Sequence, residues 1–326
     1  MDYIYVVLGL VLLFVGGEAL VRGSVVISKR LGISAILIGV VVVGFGTSAP
    51  ELLVSIKASL NNQPDIALGN VVGSNIANVL LILGLASVLT PIMCKDKAII
   101  RDACAVLVSS IALLGLSYLG VIPRIAGALM LSTLVMYLFY AYQSERKDKA
   151  RMIAAHDDET AHEHQAQEFD DKLGLLPSIL LSIVGIAMLV FGADCLVKGA
   201  SNLARAVGIS EAVIGLSLVA IGTSLPELAT AISAAAKKQT DVVIGNVLGS
   251  NLFNILSILG ITAIIKPVAI GEQIGAFDIP FTLAISVITV VVIFTLKKFG
   301  RLSGALFMLA YVAYIAWLYF NASVVA

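Results

Sequence analysis

The chain has 326 residues, 59% of them hydrophobic and only 13% charged. That is too apolar for a soluble domain and puts the chain in the membrane class. Its 21 basic and 21 acidic residues cancel, which leaves no global positive field to hold nucleic acid.

The N-terminus, MDYIYVVLGLVLLFVGG, lacks the positive n-region of a signal peptide and is read as a retained first span. A helix needs roughly 20 apolar residues to cross a bilayer. Ten stretches qualify, near 3–21, 33–58, 66–89, 102–119, 125–142, 173–196, 210–236, 242–265, 277–296 and 302–320. The second, third, seventh and eighth carry internal Gly, Pro, Asn and Ser. No alternating pattern suggests a barrel. The expected fold class is therefore an all-α membrane protein with ten transmembrane helices.

Placing both termini outside puts 16 of the 21 basic residues in inside loops, as the positive-inside rule requires. Between the fifth and sixth spans, 144–172 is a charged linker, expected in the cytoplasm. Its histidines, His156, His162 and His164, stand beside acids, but the run is polar throughout and reads as a solvated segment. Cys94, Cys104 and Cys195 form neither a metal motif nor a disulfide framework and are expected to be small buried apolar side chains.

The chain repeats itself. Thr47 and Thr223 stand 176 residues apart, and that offset aligns the halves without gaps from Leu13/Leu189 to Pro91/Pro267. It superposes 46-GTSAPE-51 on 222-GTSLPE-227 and 69-GNVVGSNIAN-78 on 245-GNVLGSNLFN-254. Each half holds five candidate spans. Five is odd, so the second half starts on the opposite side and the repeats are inverted, an architecture of secondary transporters.

The repeated motifs carry the chemistry. A carboxylate in hydrocarbon costs several kcal/mol or more without compensation, and no basic residue lies in the middle of the partner segments of Glu51 and Glu227. Hydroxyls surround them instead: Thr47, Ser48 and Ser55 in one half, Thr223, Ser224 and Thr230 in the other. Pro50 and Pro226 lack the N–H that would bond the carbonyls of Gly46 and Gly222. Ser74/Asn78 and Ser250/Asn254 each share one helix face. Carboxylate, hydroxyl and carbonyl oxygens together suit hard cations such as Ca²⁺ and Na⁺. Gly69, Gly73, Gly245 and Gly249 have the spacing of close helix packing. Glu18/Arg22 and Asp194/Lys198 are expected to be local i, i+4 ion pairs, and Asp65 and Asp241 to be helix N-caps. No span offers a base beside a serine nucleophile, so an enzyme is not expected.

The doubled GTSxPE and GNxxGSNxxN motifs resemble the two α-repeats of the Ca²⁺/cation antiporter superfamily, in particular prokaryotic sodium/calcium exchanger-type proteins. The resemblance covers essentially the whole chain except the linker. It implies a first five-helix repeat over 1–143 with its α-repeat at about 33–91. It implies a second over 173–326 with its α-repeat at about 209–267. It further implies four ion subsites near mid-membrane, with Glu51 and Glu227 as central Ca²⁺ ligands. Thr47, Ser48, Thr223 and Ser224 would add hydroxyl or carbonyl oxygens, Ser74 and Ser250 would line Na⁺ sites, and Gly44 and Ala220 would offer backbone carbonyls. The first and sixth helices would slide against the rest. One position departs: Asn254 stands where some exchangers of this family carry an acid, which leaves two carboxylates at the centre.

The expected function is Na⁺/Ca²⁺ antiport across the plasma (inner) membrane. The expected partners are the lipid bilayer and the two ions, with no cofactor and no obligate protein partner. An H⁺- or K⁺-coupled exchanger of the same fold, or a cation channel, are the alternatives.

Overall fold

A computed structural model describes residues 2–154, 173–206 and 222–325. The described residues are almost entirely helical. In chain order the helices are α1 Asp2–Leu31, α2 Ala35–Thr47, α3 Ala49–Leu60, α4 Pro64–Leu89, α5 Lys97–Ser117, α6 Arg124–Ala154, α7 Leu175–Ala206, α8 Leu225–Ala236, α9 Thr240–Ile265, α10 Ile274–Leu296 and α11 Arg301–Val325. Eight of these are long and apolar enough to cross a membrane, and α2 with α3 adds a ninth span bent by 44°. Helix α8 is a shorter apolar piece of the expected 210–236 span; residues 210–221 lie outside the described residues, as do Ala220 and the three linker histidines.

Among the described residues there are also four two-residue strands. β1 (Ile92–Met93) pairs antiparallel with β4 (Lys298–Phe299), and β2 (Val121–Ile122) with β3 (Val268–Ala269). Each clips two loops together at one end of the bundle. The β1–β4 clip lies at the end where α6 leaves toward the linker, and the β2–β3 clip at the opposite end.

Burial separates the helices into centre and periphery. In α4 and α9, 78% and 83% of the apolar window is buried, against 39% or less in the other candidate spans. A helix apolar all round belongs in a core, and these two carry the GNxxGSNxxN segments. Small residues let neighbours close on them. A Cβ at Gly245 would fall 2.5 Å from the Ile36 carbonyl oxygen, and one at Gly249 would fall 2.6 Å from Val40 Cα, so α2 lies backbone to backbone on α9. The residues that the 176-residue offset would set against Gly69 and Gly73 lie outside the described residues.

Helices α1 and α7 pack through a second glycine seam. Gly9, Gly16 and Gly23 meet Gly192, Gly185 and the Ser178–Ser182 turn; a Cβ at Gly16 would fall 2.9 Å from the Gly185 carbonyl oxygen. Both glycine series repeat every seven residues, which keeps them on one helix face.

Four local expectations change. Glu18 pairs with Lys237 at 2.6 Å and not with Arg22, because α8 ends beside α1 and presents the lysine. Asp194 and Lys198 do pair, at 2.7 Å. Asp65 and Asp241 are not N-caps: Gln63 and Gln239 hold those positions and the acids stand in the first turn, where the helix dipole still favours them. Of the free cysteines only Cys94 is buried; Cys104 and Cys195 are half-buried at the periphery of the bundle.

Candidate functional site

Both GTSxPE segments break their helices the same way. Ser48 has φ −82° and ψ 8°, and Ser224 has φ −88° and ψ 6°. Ser48 ends one helical piece, each serine holds the N-cap position of the next, and Pro50 and Pro226 occupy the first turn there. Proline is tolerated there because its missing N–H is one of the helix's unpaired donors anyway. The prolines therefore start α3 and α8 rather than interrupting a helix. Glu51 and Glu227 stand in those first turns, at the positive end of the helix dipole. At the centre of the bundle the second motif does something comparable. Asn78 opens a π-helical turn, Asn78–Leu83, and Asn254 opens another, Asn254–Ile258. Such turns carry an inserted residue that the regular ladder does not accommodate.

The two halves meet side chain to side chain. Ser48 Oγ donates to Glu227 Oε1 at 3.0 Å, and Ser224 Oγ donates to Glu51 Oε1 at 3.3 Å. Ser224 also donates to Ser74 Oγ at 3.2 Å. Ser250 Oγ donates to the Gly44 carbonyl at 3.4 Å, and Thr47 Oγ1 donates to the Val43 carbonyl at 3.0 Å. Asn78 Nδ2 donates to Asn251 Oδ1 and Asn254 Nδ2 to Asn75 Oδ1, each at 3.0 Å. These contacts form a network in two parts that cross between the halves, Ser48 with Glu227 and Ser224 with Glu51 and Ser74. Ser250, Gly44 and Thr47 lie beside Asn246 of that network, and Asn78 and Asn254 sit in the paired π turns. Thr223 is half-buried and joins through Asn70.

Four residues of this network carry no role in the sequence reading: Asn70, Asn246, Asn75 and Asn251. Asn70 Nδ2 donates to the Glu51 carbonyl at 3.1 Å, and Asn246 Nδ2 to the Glu227 carbonyl at 3.5 Å, tying each broken segment to α4 or α9. Asn75 and Asn251 accept the amide hydrogens of Asn254 and Asn78. The available signal was their repetition at the same 176-residue offset inside an apolar run.

The network leaves oxygens without partners. Glu51 and Glu227 are 1% and 2% exposed, and each has one buried carboxylate oxygen, Oε2, with no hydrogen-bond donor. Asn78 and Asn254, each 1% exposed, likewise have an unpartnered Oδ1. Among the described residues, no ion pair reaches either glutamate. One hydrogen bond to a charged group contributes about 1.5–3 kcal/mol. A buried, unpaired charge costs more than that. The hydroxyl that each carboxylate receives therefore cannot hold it ionised alone, and the pair requires cations or protons. No three His, Cys, Asp or Glu side chains gather among the described residues, so the donor set is hydroxyl, amide and carboxylate oxygen. That set suits a hard cation. A separate crevice of about 470 Å³ is lined mainly by apolar side chains, among them Ile27, Leu37, Val41, Leu138 and Ile183, and no carboxylate lines it.

Comparison with known proteins agrees with this chemistry. The sodium/calcium exchanger protein family model matches residues 1–143 and 177–320. The sodium/calcium exchanger MaX1 of Methanosarcina acetivorans is 31% identical over 98% of this chain and 99% of its own. The inner membrane protein YrbG of Escherichia coli is 32% identical over 96% and 95%. Among solved structures, the sodium-calcium exchanger NCX_Mj superposes with a TM-score of 0.82 at 30% identity, covering 97% of each chain.

Proposed function

Since the chain belongs to the sodium/calcium exchanger protein family, we propose that it is a secondary-active antiporter exchanging Na⁺ for Ca²⁺ at the Glu51/Glu227 pair. The observation that carries this reading is the set of four buried oxygens without donors, Glu51 Oε2, Glu227 Oε2, Asn78 Oδ1 and Asn254 Oδ1. Each is a lone pair withheld from the surrounding hydrogen bonds, and all four come from the residues the repeated motifs single out. Thr47, Ser48, Thr223, Ser224, Ser74 and Ser250, with the carbonyls of Gly44 and Ala220, complete the oxygen set.

Two carboxylates balance one Ca²⁺ or two Na⁺. An empty, doubly charged site is costly to carry through an apolar bundle, whereas either loaded form is compensated. Coupling follows from that difference: the conformational change that exposes the other side is available to the loaded forms and not to the empty one.

We place ten crossings in two inverted five-helix halves, within the plasma (inner) membrane, with both termini outside and the 144–172 linker in the cytoplasm. The contacts between loops support this. Thr90 bonds the Ala235 carbonyl, Glu18 bonds Lys237, and β1 pairs with β4, all joining segments assigned to the inside. Lys266 bonds Asn62, Asn202 bonds Asp2, and β2 pairs with β3, all joining segments assigned to the outside. On this assignment Asn202 and Ala235 belong to opposite ends of the bundle.

Reconstituted protein loaded with Na⁺, K⁺ or H⁺ on one side should accumulate ⁴⁵Ca²⁺ only against the Na⁺ gradient. Uptake against a proton or potassium gradient of equal size would replace Na⁺ as the coupling ion. Flux without any counter-gradient would mean a channel.

A further inference from the structure

The pseudo-symmetry has a conspicuous exception outside the ion site. Asp102 of α5, 2% exposed, accepts a hydrogen bond from the Tyr137 hydroxyl of α6. Asp278, in the first turn of α10 and 6% exposed, accepts one from the Tyr314 hydroxyl of α11 at 2.9 Å. The aspartates stand 176 residues apart and the tyrosines 177, so the two pairs are equivalents in the two halves.

Their surroundings differ. In the first half Arg101 Nε donates to Asp102 Oδ1 at 2.7 Å, and its Nη2 lies 3.6 Å from Glu145 Oε1. Glu145 in turn receives the Ser34 backbone N–H on Oε2 at 3.0 Å and the Ser34 hydroxyl on Oε1 at 2.9 Å. Ser34 is the N-cap of α2, its Oγ accepting from Leu37 N–H at 3.0 Å. A carboxylate on the N-terminus of a helix also meets the positive end of its dipole. In the second half Phe277 replaces Arg101 and stacks on Trp317, with ring centroids 3.7 Å apart. The position 177 residues beyond Glu145 is Ala322. The sequence thus has no carboxylate at the position equivalent to Glu145.

Helix α2 is the element that Glu145 grips, and its far end carries Gly44, Thr47 and Ser48. It is continuous from Ala35 to Thr47, with a π-helical stretch at Gly39–Gly44, so fixing one end constrains the other across a little less than the roughly 20 Å that 1.5 Å per residue gives. We infer that Glu145, held by Arg101, is a positioning residue that latches α2, a latch that Phe277 and Ala322 at the equivalent positions cannot repeat, and so makes the two orientations of the transporter unequal in energy. An inverted repeat with identical halves would have equivalent inward- and outward-facing states; a latch that the equivalent positions cannot repeat breaks that equivalence. The inference rests on the antiporter reading for its consequence, but not for the latch itself.

The test compares wild type with Glu145→Gln, which keeps the shape and removes the charge. Apparent affinity at each face scales with the fraction of protein facing it. A shift in orientation therefore changes the ratio of half-saturating Ca²⁺ measured in right-side-out and inside-out vesicles. The expected change in that ratio is about tenfold. Equal loss at both faces, or a lower maximal rate with the ratio unchanged, would make Glu145 a structural residue only and overturn the inference. Amide hydrogen exchange over residues 35–41, measured without ions, should rise about tenfold in Glu145→Gln; unchanged exchange would also overturn it. Arg101→Gln, which removes the cation beside Glu145 and leaves the Ser34 cap of α2 in place, should move both readouts the same way by less, and decides the matter should Glu145→Gln not fold. If wild type transports no Ca²⁺ the antiporter reading fails, while hydrogen exchange still reports on the latch.

Discussion

Glu51 and Glu227 receive their hydroxyl donors from each other's segments: Ser48 serves Glu227, and Ser224 serves Glu51. Each half supplies the carboxylate that the other half partly satisfies, so the two motifs are joined at one place. The carboxylates, hydroxyls and amide pairs of the motifs were legible in the sequence because polar atoms are expensive in an apolar chain and these recur at one spacing. The bridging asparagines, Asn70 and Asn246, were not assigned, because an amide that binds a backbone carbonyl of another helix has no local signature. In the proposed site, Asn254 is the position at which a third carboxylate would stand. Replacing it with aspartate adds a third carboxylate beside an oxygen that has no donor. Asn254→Asp should tighten Ca²⁺ binding by roughly tenfold, about 1.4 kcal/mol at a conservative effective dielectric, and increase the number of Na⁺ exchanged per Ca²⁺. Calorimetric titration and reversal-potential measurements check both; unchanged affinity and coupling would place Asn254 outside the cation's reach.

The broken helices follow from serine, proline and glycine acting at particular places. Ser48 and Ser224 leave the helical region and the prolines begin new helices, so the irregular backbone is confined to a protein-buried point where a membrane tolerates it. The sequence located these breaks within a residue or two. It misplaced the caps at Asp65 and Asp241 and the partner of Glu18, since cap geometry and inter-helix pairing depend on where neighbouring helices end. Glycine packing was legible as spacing, but the surface it meets was not. Gly249→Ala drives a Cβ to 2.6 Å from Val40 Cα, backbone against backbone. The cost should be roughly 1–3 kcal/mol, seen as a melting temperature several degrees lower and a reduced transport rate. Gly300→Ala, with nothing within 4 Å of the added methyl, should melt as wild type. Equal melting of the two variants would mean that α2 and α9 are not in that contact.

At the scale of the whole molecule, the strongest regularity is that contacts between loops join segments assigned to the same side of the membrane. That assignment came from the distribution of lysine and arginine alone, and the strand clips and inter-loop bonds follow it independently. Single cysteines introduced at Asn61 and Gln273 should label from one side of sealed vesicles, and cysteines at Lys95 and Lys297 from the other. Labelling of all four from one side would undo the ten-crossing layout. What the sequence could not foresee at this scale is the unequal treatment of the halves, since Glu145 and Ser34 are 111 residues apart and meet only in the folded chain. The central claim is that Glu51 and Glu227 together form the ion site, and it meets its most direct test in Na⁺-driven ⁴⁵Ca²⁺ uptake by reconstituted wild type, Glu51→Gln and Glu227→Gln. Uptake should be present in wild type and fall at least about 100-fold in each variant, because removing one of two charges that balance Ca²⁺ in a buried site costs several kcal/mol. Uptake at the wild-type rate in either variant would contradict the site.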